Sequence, residues 1–105
     1  MRFEIVLAPA AGKALQRLPA RIRSEVGDAL ERHLRFEPTK TSKSRIKRLR
    51  GLRQPQYRLR INDIRVFYDV TETSVQILAI IEKQEAQAWL DQQGTPGESS
   101  GPGQG

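Results

Sequence analysis

The segment from Tyr57 to Val70 alternates apolar and polar residues on both sides of an Asn62-Asp63 pair. Alternation with a period of two is typical of a half-buried β-strand, and a two-residue connection made of Asn and Asp favours a hairpin turn. With the turn at this pair, the facing residues are Tyr57 and Tyr68, Arg58 and Phe67, Leu59 and Val66, Arg60 and Arg65, and Ile61 and Ile64. The segment therefore predicts a β-hairpin, so the fold must contain an antiparallel sheet.

The predicted hairpin has one apolar face and one charged face. The charged face carries Arg58, Arg60 and Arg65 together with Phe67. Like charges on neighbouring strands destabilise a sheet, and the guanidinium group suits bidentate binding of phosphate. We therefore interpret the three arginines as ligands for an external anion, with phosphate as the first candidate. The alternative is that each is a surface arginine whose stem packs on its neighbours.

Basic charge is concentrated around this hairpin. The chain has 18 Lys and Arg against 12 Asp and Glu, a formal net charge of +6, and Asp63 is the single acidic residue between Lys40 and Arg65. The basic residues that precede the hairpin are Lys40, Lys43, Arg45, Lys47, Arg48, Arg50 and Arg53. Such a concentration indicates a nucleic-acid or acidic-protein partner, and the alternative is a solvated surface that is merely basic.

Length and composition exclude several classes of protein. The 105 residues predict one domain, which we expect to span 1–93, followed by a disordered Gly-, Pro- and Ser-rich tail over 94–105. The chain has no cysteine, which excludes disulfides and thiol chemistry. No signal peptide, membrane span, metal-ligand cluster or cofactor motif is recognisable, so we expect a cytoplasmic protein without cofactor or metal.

The rest of the pattern predicts an α+β domain. We expect a strand over Arg2–Leu7, helices over Pro9–Leu18 and Ala20–Phe36, a buried strand over Val75–Ile81 and a last helix over Lys83–Gln93. The N-terminal strand and the helical hairpin would pack on a small, mainly antiparallel sheet of about four strands, with a short C-terminal helix. The helices would cover the apolar face, leaving the arginine face to solvent and ligand.

Proton transfer is the weaker part of the predicted site. Arginine stays protonated, so the three arginines can stabilise charge on a phosphate but cannot act as bases. The single histidine, His33, lies late in the second helix, where we interpret it as a solvated or dipole-compensating residue. Tyr57 and Tyr68 are expected in the core.

The end of the last strand supplies the other candidates for proton transfer. Continuing the strand register pairs Arg65 with Ile80 and Asp63 with Glu82, which brings Glu82 or Lys83 near a phosphate held by the arginines. For Glu82 we favour a role at the start of the last helix. For Lys83 two roles stay open, one at the start of the helix and one in proton transfer. Phe67 could stack on a base, but we favour its being covered by Trp89 or Leu90 of the last helix.

Four elements resemble the RelE/ParE superfamily of type II toxin-antitoxin toxins. They are Arg48-Leu49-Arg50-Gly51, Tyr57-Arg58-Leu59-Arg60, Ile64 to Val70, and Ala79-Ile80-Ile81-Glu82-Lys83. The resemblance implies a RelE-like fold and a metal-independent endoribonuclease, an mRNA interferase that cuts mRNA on the 70S ribosome. It also implies a cognate acidic antitoxin, through which the toxin-antitoxin complex would contact operator DNA.

The resemblance also implies roles for individual residues. Arg58 and Arg60 match the basic pair of the RelE group, and Arg65 matches its phosphate-stabilising arginine; Lys83 is our candidate for proton transfer. The basic run would contact ribosomal RNA through Lys43, Arg45, Lys47, Arg48, Arg50 and Arg53. Two positions depart from the RelE pattern, since Gln84 replaces an arginine and Leu90 replaces a catalytic tyrosine. The alternative is therefore a ParE-like toxin that inhibits DNA gyrase without cutting RNA.

Overall fold

The computed structural model describes residues 1–97 and has the α+β architecture that the sequence predicts. Its helices are α1 (Pro9–Arg17), α2 (Ala20–Leu34) and α3 (Lys83–Gln93). Its strands are β1 (Glu4–Leu7), β2 (Ile46–Arg48), β3 (Leu52–Gln54), β4 (Tyr57–Ile61), β5 (Ile64–Val70), β6 (Ser74–Glu82) and β7 (Thr95–Pro96). No helix within these residues is long and apolar enough to cross a membrane.

Five strands form the main sheet in the order β1-β6-β5-β4-β2. The edge strand β1 runs parallel to β6, and the other neighbours are antiparallel. The β4–β5 hairpin has the predicted register, including Arg60 opposite Arg65 and Leu59 opposite Val66. Asn62 adopts a φ of 52° at the turn, a left-handed conformation that Asn tolerates better than most residues.

The predicted register between β5 and β6 is wrong by one residue. Arg65 faces Ile81 rather than Ile80, and Ile64 rather than Asp63 faces Glu82. The cause is a β-bulge: Phe67 faces Ala79 while Tyr68 faces Ile77, so Leu78 is an extra residue on β6. The nearly continuous apolar run of β6 carries no alternation that could have revealed this shift.

The bulge decides which residues of β6 enter the core. It turns Ile80 toward the helices, where it is 3% exposed, and puts Ala79 and Ile81 on the same face as the arginines. Both α1 and α2 cover the opposite, apolar face. Helix α2 contributes Val26, Leu30 and Leu34, whose spacing of four aligns them on one side.

Helix boundaries follow local chemistry. Pro9 occupies the first turn of α1, where its missing N–H costs nothing, and α1 ends at Arg17 because Leu18 precedes Pro19 and is extended. Helix α2 ends at Leu34, two residues before the predicted end at Phe36. The Arg23 guanidinium donates to the carbonyl oxygens of Gln16 and Leu18, which ties the two helices together.

Two pairings were not predicted from the sequence. Strand β2 adds a fifth strand beside β4, with Ile46 buried in the core, and β3 pairs with β7 in a separate two-stranded sheet. Ordered structure therefore continues past the expected domain end at residue 93, because Thr95–Pro96 pairs with β3. The rest of the predicted tail, residues 98–105, lies outside the described residues.

Candidate anion-binding site

Two rows of residues cross the face of the sheet that the helices α1 and α2 leave uncovered. One row runs through Arg45, Arg60 and Arg65, with the Arg60 N–H donating to the Arg45 carbonyl oxygen at 2.8 Å. The other row runs through Lys47, Arg58 and Phe67. We call Arg58, Arg60 and Arg65 the arginine cluster. Its two strands are fixed by the hairpin register, so the three arginines are held on one surface.

Arg65 is the most buried member of the arginine cluster, with 9% of its surface exposed. Its Nη1 donates to the carbonyl oxygens of Asn62 at 2.8 Å and of Ile64 at 3.2 Å, both at the hairpin turn. Burial lowers the pKa of Arg65, the charge of Arg60 lowers it further, and Asp63 raises it. The turn therefore orients this guanidinium while leaving its charge incompletely compensated.

Arg58 is half-buried and only partly satisfied. Its Nη2 donates to the Ser44 carbonyl oxygen at 3.0 Å, but its buried Nε has no hydrogen-bond partner within residues 1–97. Burial lowers the pKa of Arg58, as do the charges of Arg65 and Arg60. An unsatisfied buried donor is costly, so stability alone does not explain an arginine at this position.

Among the described residues, no carboxylate forms an ion pair with the arginine cluster. Within residues 1–97, none of its three guanidinium groups forms an ion pair with Asp or Glu, whereas Arg35 pairs with Glu31 and Lys40 with Glu37 elsewhere. Arg60 is exposed and completes the cluster at the solvent side. Three neighbouring cations without counter-ions form a site that favours an anionic ligand, and guanidinium geometry suits phosphate.

Helix α3 closes one end of the cluster through an aromatic stack. The rings of Phe67 and Trp89 lie 5.1 Å apart between centroids with an interplanar angle of 7°, and Phe67 is fully buried. This confirms the prediction that α3 covers Phe67. The two tyrosines are structural, also as predicted: Tyr68 is fully buried, donates its hydroxyl to the Pro38 carbonyl oxygen at 2.7 Å and stacks on Tyr57.

Glu82 and Lys83 occupy different positions relative to the cluster. Glu82 pairs with Ile64 and lines a cleft with Pro19 and Ile22 on the helix side of the sheet, where Gln84 donates to its carboxylate at 2.7 Å. Glu82 therefore does not approach the arginines and serves as the N-cap residue of α3. The Lys83 N–H donates to the Asp63 carbonyl oxygen at 2.7 Å, one step of the ladder beyond Arg65.

The basic run before the hairpin divides between several surfaces. Arg45 and Lys47 lie on the face of the arginine cluster, which sequence reasoning missed although they alternate with the buried Ile46. Arg48 lies on the other face, where its Cζ is 5.1 Å from the centre of the Tyr57 ring and its Nη1 donates to the Gln56 carbonyl oxygen. The remaining basic residues of the run are exposed, namely Lys40, Lys43, Arg50 and Arg53.

His33 is not an isolated surface residue. It lines a cleft of about 330 Å³ between α2 and the end of β4, together with Arg32, Arg45, Arg60 and Asn62. Burial lowers the pKa of His33, and the charges of Arg45 and Arg32 lower it further. Residues 1–97 contain no group of three or more His, Asp or Glu side chains that could hold a metal ion.

Solved structures identify the fold as that of RelE-type toxins. The chain is similar to a chain of the RelBE2 toxin-antitoxin complex from Mycobacterium tuberculosis, with 22% identity, a TM-score of 0.55 and coverage of 78% of this chain and 99% of that one. It is similar to the RelB-RelE complex from Methanococcus jannaschii (16%, TM-score 0.53, coverage 80% and 96%) and to the YoeB dimer from Staphylococcus aureus (17%, TM-score 0.54, coverage 75% and 94%).

A family assignment from the sequence agrees with this fold. The profile of the ParE toxin of the type II toxin-antitoxin system parDE matches residues 5–87. The chain therefore belongs to this family and is a toxin of a type II toxin-antitoxin system within the RelE/ParE superfamily. A search among curated proteins returned no significant match.

Proposed function

We propose that this toxin is a ribosome-dependent endoribonuclease that cleaves translated mRNA and thereby inhibits translation. The observation that carries the proposal is the arginine cluster, three guanidinium groups on one rigid surface without a carboxylate partner within residues 1–97. A scissile phosphate would accept from guanidinium N–H groups of the cluster and neutralise the repulsion among the three charges. Such preorganised donors stabilise the charge that develops on a phosphate in the transition state.

The reaction in this proposal is attack by a ribose 2′-hydroxyl on the adjacent phosphorus. The O2′–P bond forms while the P–O5′ bond breaks, which leaves a cyclic phosphate on one fragment and a 5′-hydroxyl on the other. Arg58, Arg60 and Arg65 stabilise the pentacoordinate phosphorane. Lys83 donates the proton to the leaving 5′-oxygen, and the 2′-hydroxyl proton passes to water. The chemistry needs no cofactor or metal.

The exposed basic residues around the cluster would hold the toxin on ribosomal RNA. The residues proposed for this contact are Lys43, Arg45, Lys47, Arg48, Arg50 and Arg53. Contacts with phosphates release counter-ions, so association should weaken steeply as salt rises. Such a reaction would take place in the cytoplasm, where ribosomes translate.

We further propose that an acidic antitoxin neutralises the toxin. The RelE-type neighbours from Mycobacterium tuberculosis and Methanococcus jannaschii were solved as complexes with an antitoxin. The net charge of +6 and the exposed basic face favour a partner segment rich in Asp and Glu. Operator DNA would be contacted through that antitoxin.

The proposal is tested by inducing the toxin in growing cells and mapping RNA ends on a translated message by primer extension. Cuts in phase with codons are expected for the wild type, and their loss is expected in Arg58→Ala and Arg65→Ala. The control is Arg17→Ala, which removes an exposed arginine of α1 far along the chain from the cluster. Inhibited growth without codon-phased cuts would reject the nuclease.

A ParE-like action on DNA gyrase is the second candidate. Two observations favour it: the family profile is that of ParE, and Glu82, the acidic residue at the end of β6, lies on the helix side of the sheet. The test is a supercoiling assay with purified gyrase and toxin. Inhibition that Arg17→Ala retains and Arg65→Ala loses would support this candidate. Full gyrase activity at toxin concentrations that stop translation in an extract would reject it.

A further inference from the structure

A polar cleft adjoins the arginine cluster on the side of β2. It has a volume of about 160 Å³ and is lined by Ser44, Arg45, Arg60 and Asn62. Arg60 thus belongs both to the cluster and to this cleft. Two guanidinium groups, a hydroxyl and an amide provide several donors in a small space, and none of the four lining side chains is apolar. This composition suits an oxyanion better than an apolar anchor of a protein partner.

Arg45 and Arg60 also line the larger cleft beside α2. That cleft brings Arg32 and His33 of α2 to the side of Arg45 and Arg60. A third cleft of about 230 Å³, which extends along the loop after α2, is again lined by Arg32, His33 and Arg45 and adds Lys40. All three clefts share Arg45 as a lining residue, so a path of basic side chains extends from the arginine cluster past Arg45 to α2.

Acidic residues also line this path. Glu25 and Asp28 line the α2 cleft and precede Arg32 on the helix by two turns and one turn. Glu37 lines the third cleft, but it is paired with Lys40. Of the described residues, none with a carboxylate lines the small cleft between Arg45 and Arg60. The part of the path nearest the cluster is thus its most positive part.

We propose that the cleft lined by Arg32, His33, Arg45 and Arg60 is a second phosphate subsite, which binds the phosphodiester next to the one on the arginine cluster. The inference rests on the proposed RNA-cleaving function and extends it. Arg60 lies between the two sites because its strand neighbours are Arg65 on one side and Arg45 on the other. A single RNA strand can therefore place consecutive phosphates on the cluster and on this subsite.

His33 makes the second subsite sensitive to pH. In the free protein its pKa is lowered by burial and by Arg45 and Arg32, so the imidazole is neutral near pH 7. A bound phosphate adds negative charge beside it and favours the imidazolium form against the charges of Arg45 and Arg32, in a cleft that Arg60, Glu25 and Asp28 also line. Binding at the subsite should therefore raise the pKa of His33 and tighten as pH falls from about 7.5 to about 5.5.

The test uses the intact toxin and 2′-O-methyl oligoribonucleotides, which cannot be cleaved by their own 2′-oxygen. A dinucleotide carries one phosphodiester and a trinucleotide carries two. For the wild type, the second phosphodiester should tighten binding about tenfold at low salt. Arg32→Gln should reduce that gain to about twofold, and His33→Gln should abolish its dependence on pH. Arg17→Gln, which removes an equally exposed arginine, should behave as the wild type.

NMR titration of the His33 ring in the wild type provides a readout that needs no substitution. The trinucleotide should raise the pKa of His33, and the dinucleotide should raise it much less. Equal gains in Arg32→Gln and Arg17→Gln, or an unmoved His33 pKa, would overturn the inference. It would also be overturned if a Glu-rich peptide, but no RNA, raised the pKa of His33, because the cleft would then bind a protein.

The two proposals fail in different ways. Suppose that the wild type cuts mRNA in phase with codons and that Arg32→Gln still binds the trinucleotide about tenfold more tightly than the dinucleotide. This result would reject the subsite and leave the nuclease proposal intact. If the trinucleotide binds more tightly than the dinucleotide through Arg32 and His33, but no mRNA is cut in cells, the subsite is supported and the nuclease is rejected.

Discussion

The two faces of the sheet differ in polarity, although neighbouring residues of the same strand build both. On β4, Leu59 points to the helices and is fully buried among aliphatic side chains, while Arg60 points the other way and is exposed. The helix-covered face contains buried apolar residues, and its buried Tyr68 hydroxyl has a partner. The arginine face has neighbouring like charges and an unsatisfied Arg58 Nε.

This difference indicates how stability and function are divided within one sheet. Burial of apolar area against α1 and α2 supplies most of the free energy of folding. The arginine face lowers the stability of the fold, because like charges repel across the strands and burial weakens the hydration of Arg58 and Arg65. A protein selected for stability alone would not retain such a face, so we attribute it to ligand binding.

The largest expected effect on stability comes from truncating a side chain on the helix-covered face. Leu59→Ala should lower the free energy of unfolding by about 3 kcal/mol, because it leaves a cavity among buried side chains. Arg60→Gln, one residue along the strand, should change it by less than about 0.5 kcal/mol and slightly raise it at low salt by reducing the repulsion on Arg58 and Arg65. Urea unfolding of both variants measures this contrast. Similar losses in the two would contradict the division between the faces.

A smaller effect is expected where α3 rests on the arginine face. Trp89→Ala should lower the free energy of unfolding by about 2 kcal/mol, because it removes the stack on Phe67. Gln92→Ala, an exposed position on the same helix, is the matched control and should leave stability nearly unchanged. If the two variants unfold at the same urea concentration, α3 is not held by this stack.

The Tyr68 hydroxyl should contribute about 1 kcal/mol, since Tyr68→Phe leaves the Pro38 carbonyl oxygen without its donor. Burial raises the pKa of Tyr68, and the neighbouring Tyr57 raises it further. The neutral hydroxyl is thus favoured in the folded state. Its contribution is complete below about pH 10, where an unfolded tyrosine ionises, and declines as pH rises above that value.

The pH dependence separates Tyr68 from other groups that titrate in alkali. Between about pH 9.5 and pH 11, the wild type and Tyr57→Phe should lose stability more steeply than Tyr68→Phe. Parallel pH curves for all three proteins would show that the Tyr68 hydroxyl does not stay neutral in the fold.

The sequence predicted the parts of this fold whose two faces differ. The β4–β5 register was predictable because a slip of one residue would bury the arginines and expose Leu59, and because Asn62 accepts the positive φ of the turn. The cover of Phe67 by Trp89 was predictable for a similar reason. It follows from an aromatic residue on an otherwise charged face, which needs a cover, and from an apolar side on α3 that can supply it.

The parts that were missed depend on tertiary contacts. Strand β6 is apolar on both faces, so its bulge at Leu78 leaves no trace in the pattern. Strands β2 and β3 have three residues each and exist only because β4 and β7 pair with them. The same limitation concealed the extension of the site beyond the arginine cluster: Arg45 joins Arg60 through the β2–β4 edge, and His33 lines a cleft with both from a helix that is distant in sequence.

The last prediction, whose effect is no larger than that of the Tyr68 hydroxyl, tests the anion affinity of the arginine face without RNA. Inorganic phosphate at several times its dissociation constant should stabilise the toxin by about 1 kcal/mol, which corresponds to a rise in Tm of about 5 °C relative to chloride of equal ionic strength. Phosphate also stabilises proteins generally through exclusion from their surface, and Arg60→Gln corrects for this because its folded surface is otherwise the same. The specific part of the shift is the difference between the two proteins. Equal shifts would mean that the cluster does not bind phosphate as a unit, and the repulsion on Arg58 and Arg65 would then need an acidic protein partner to relieve it.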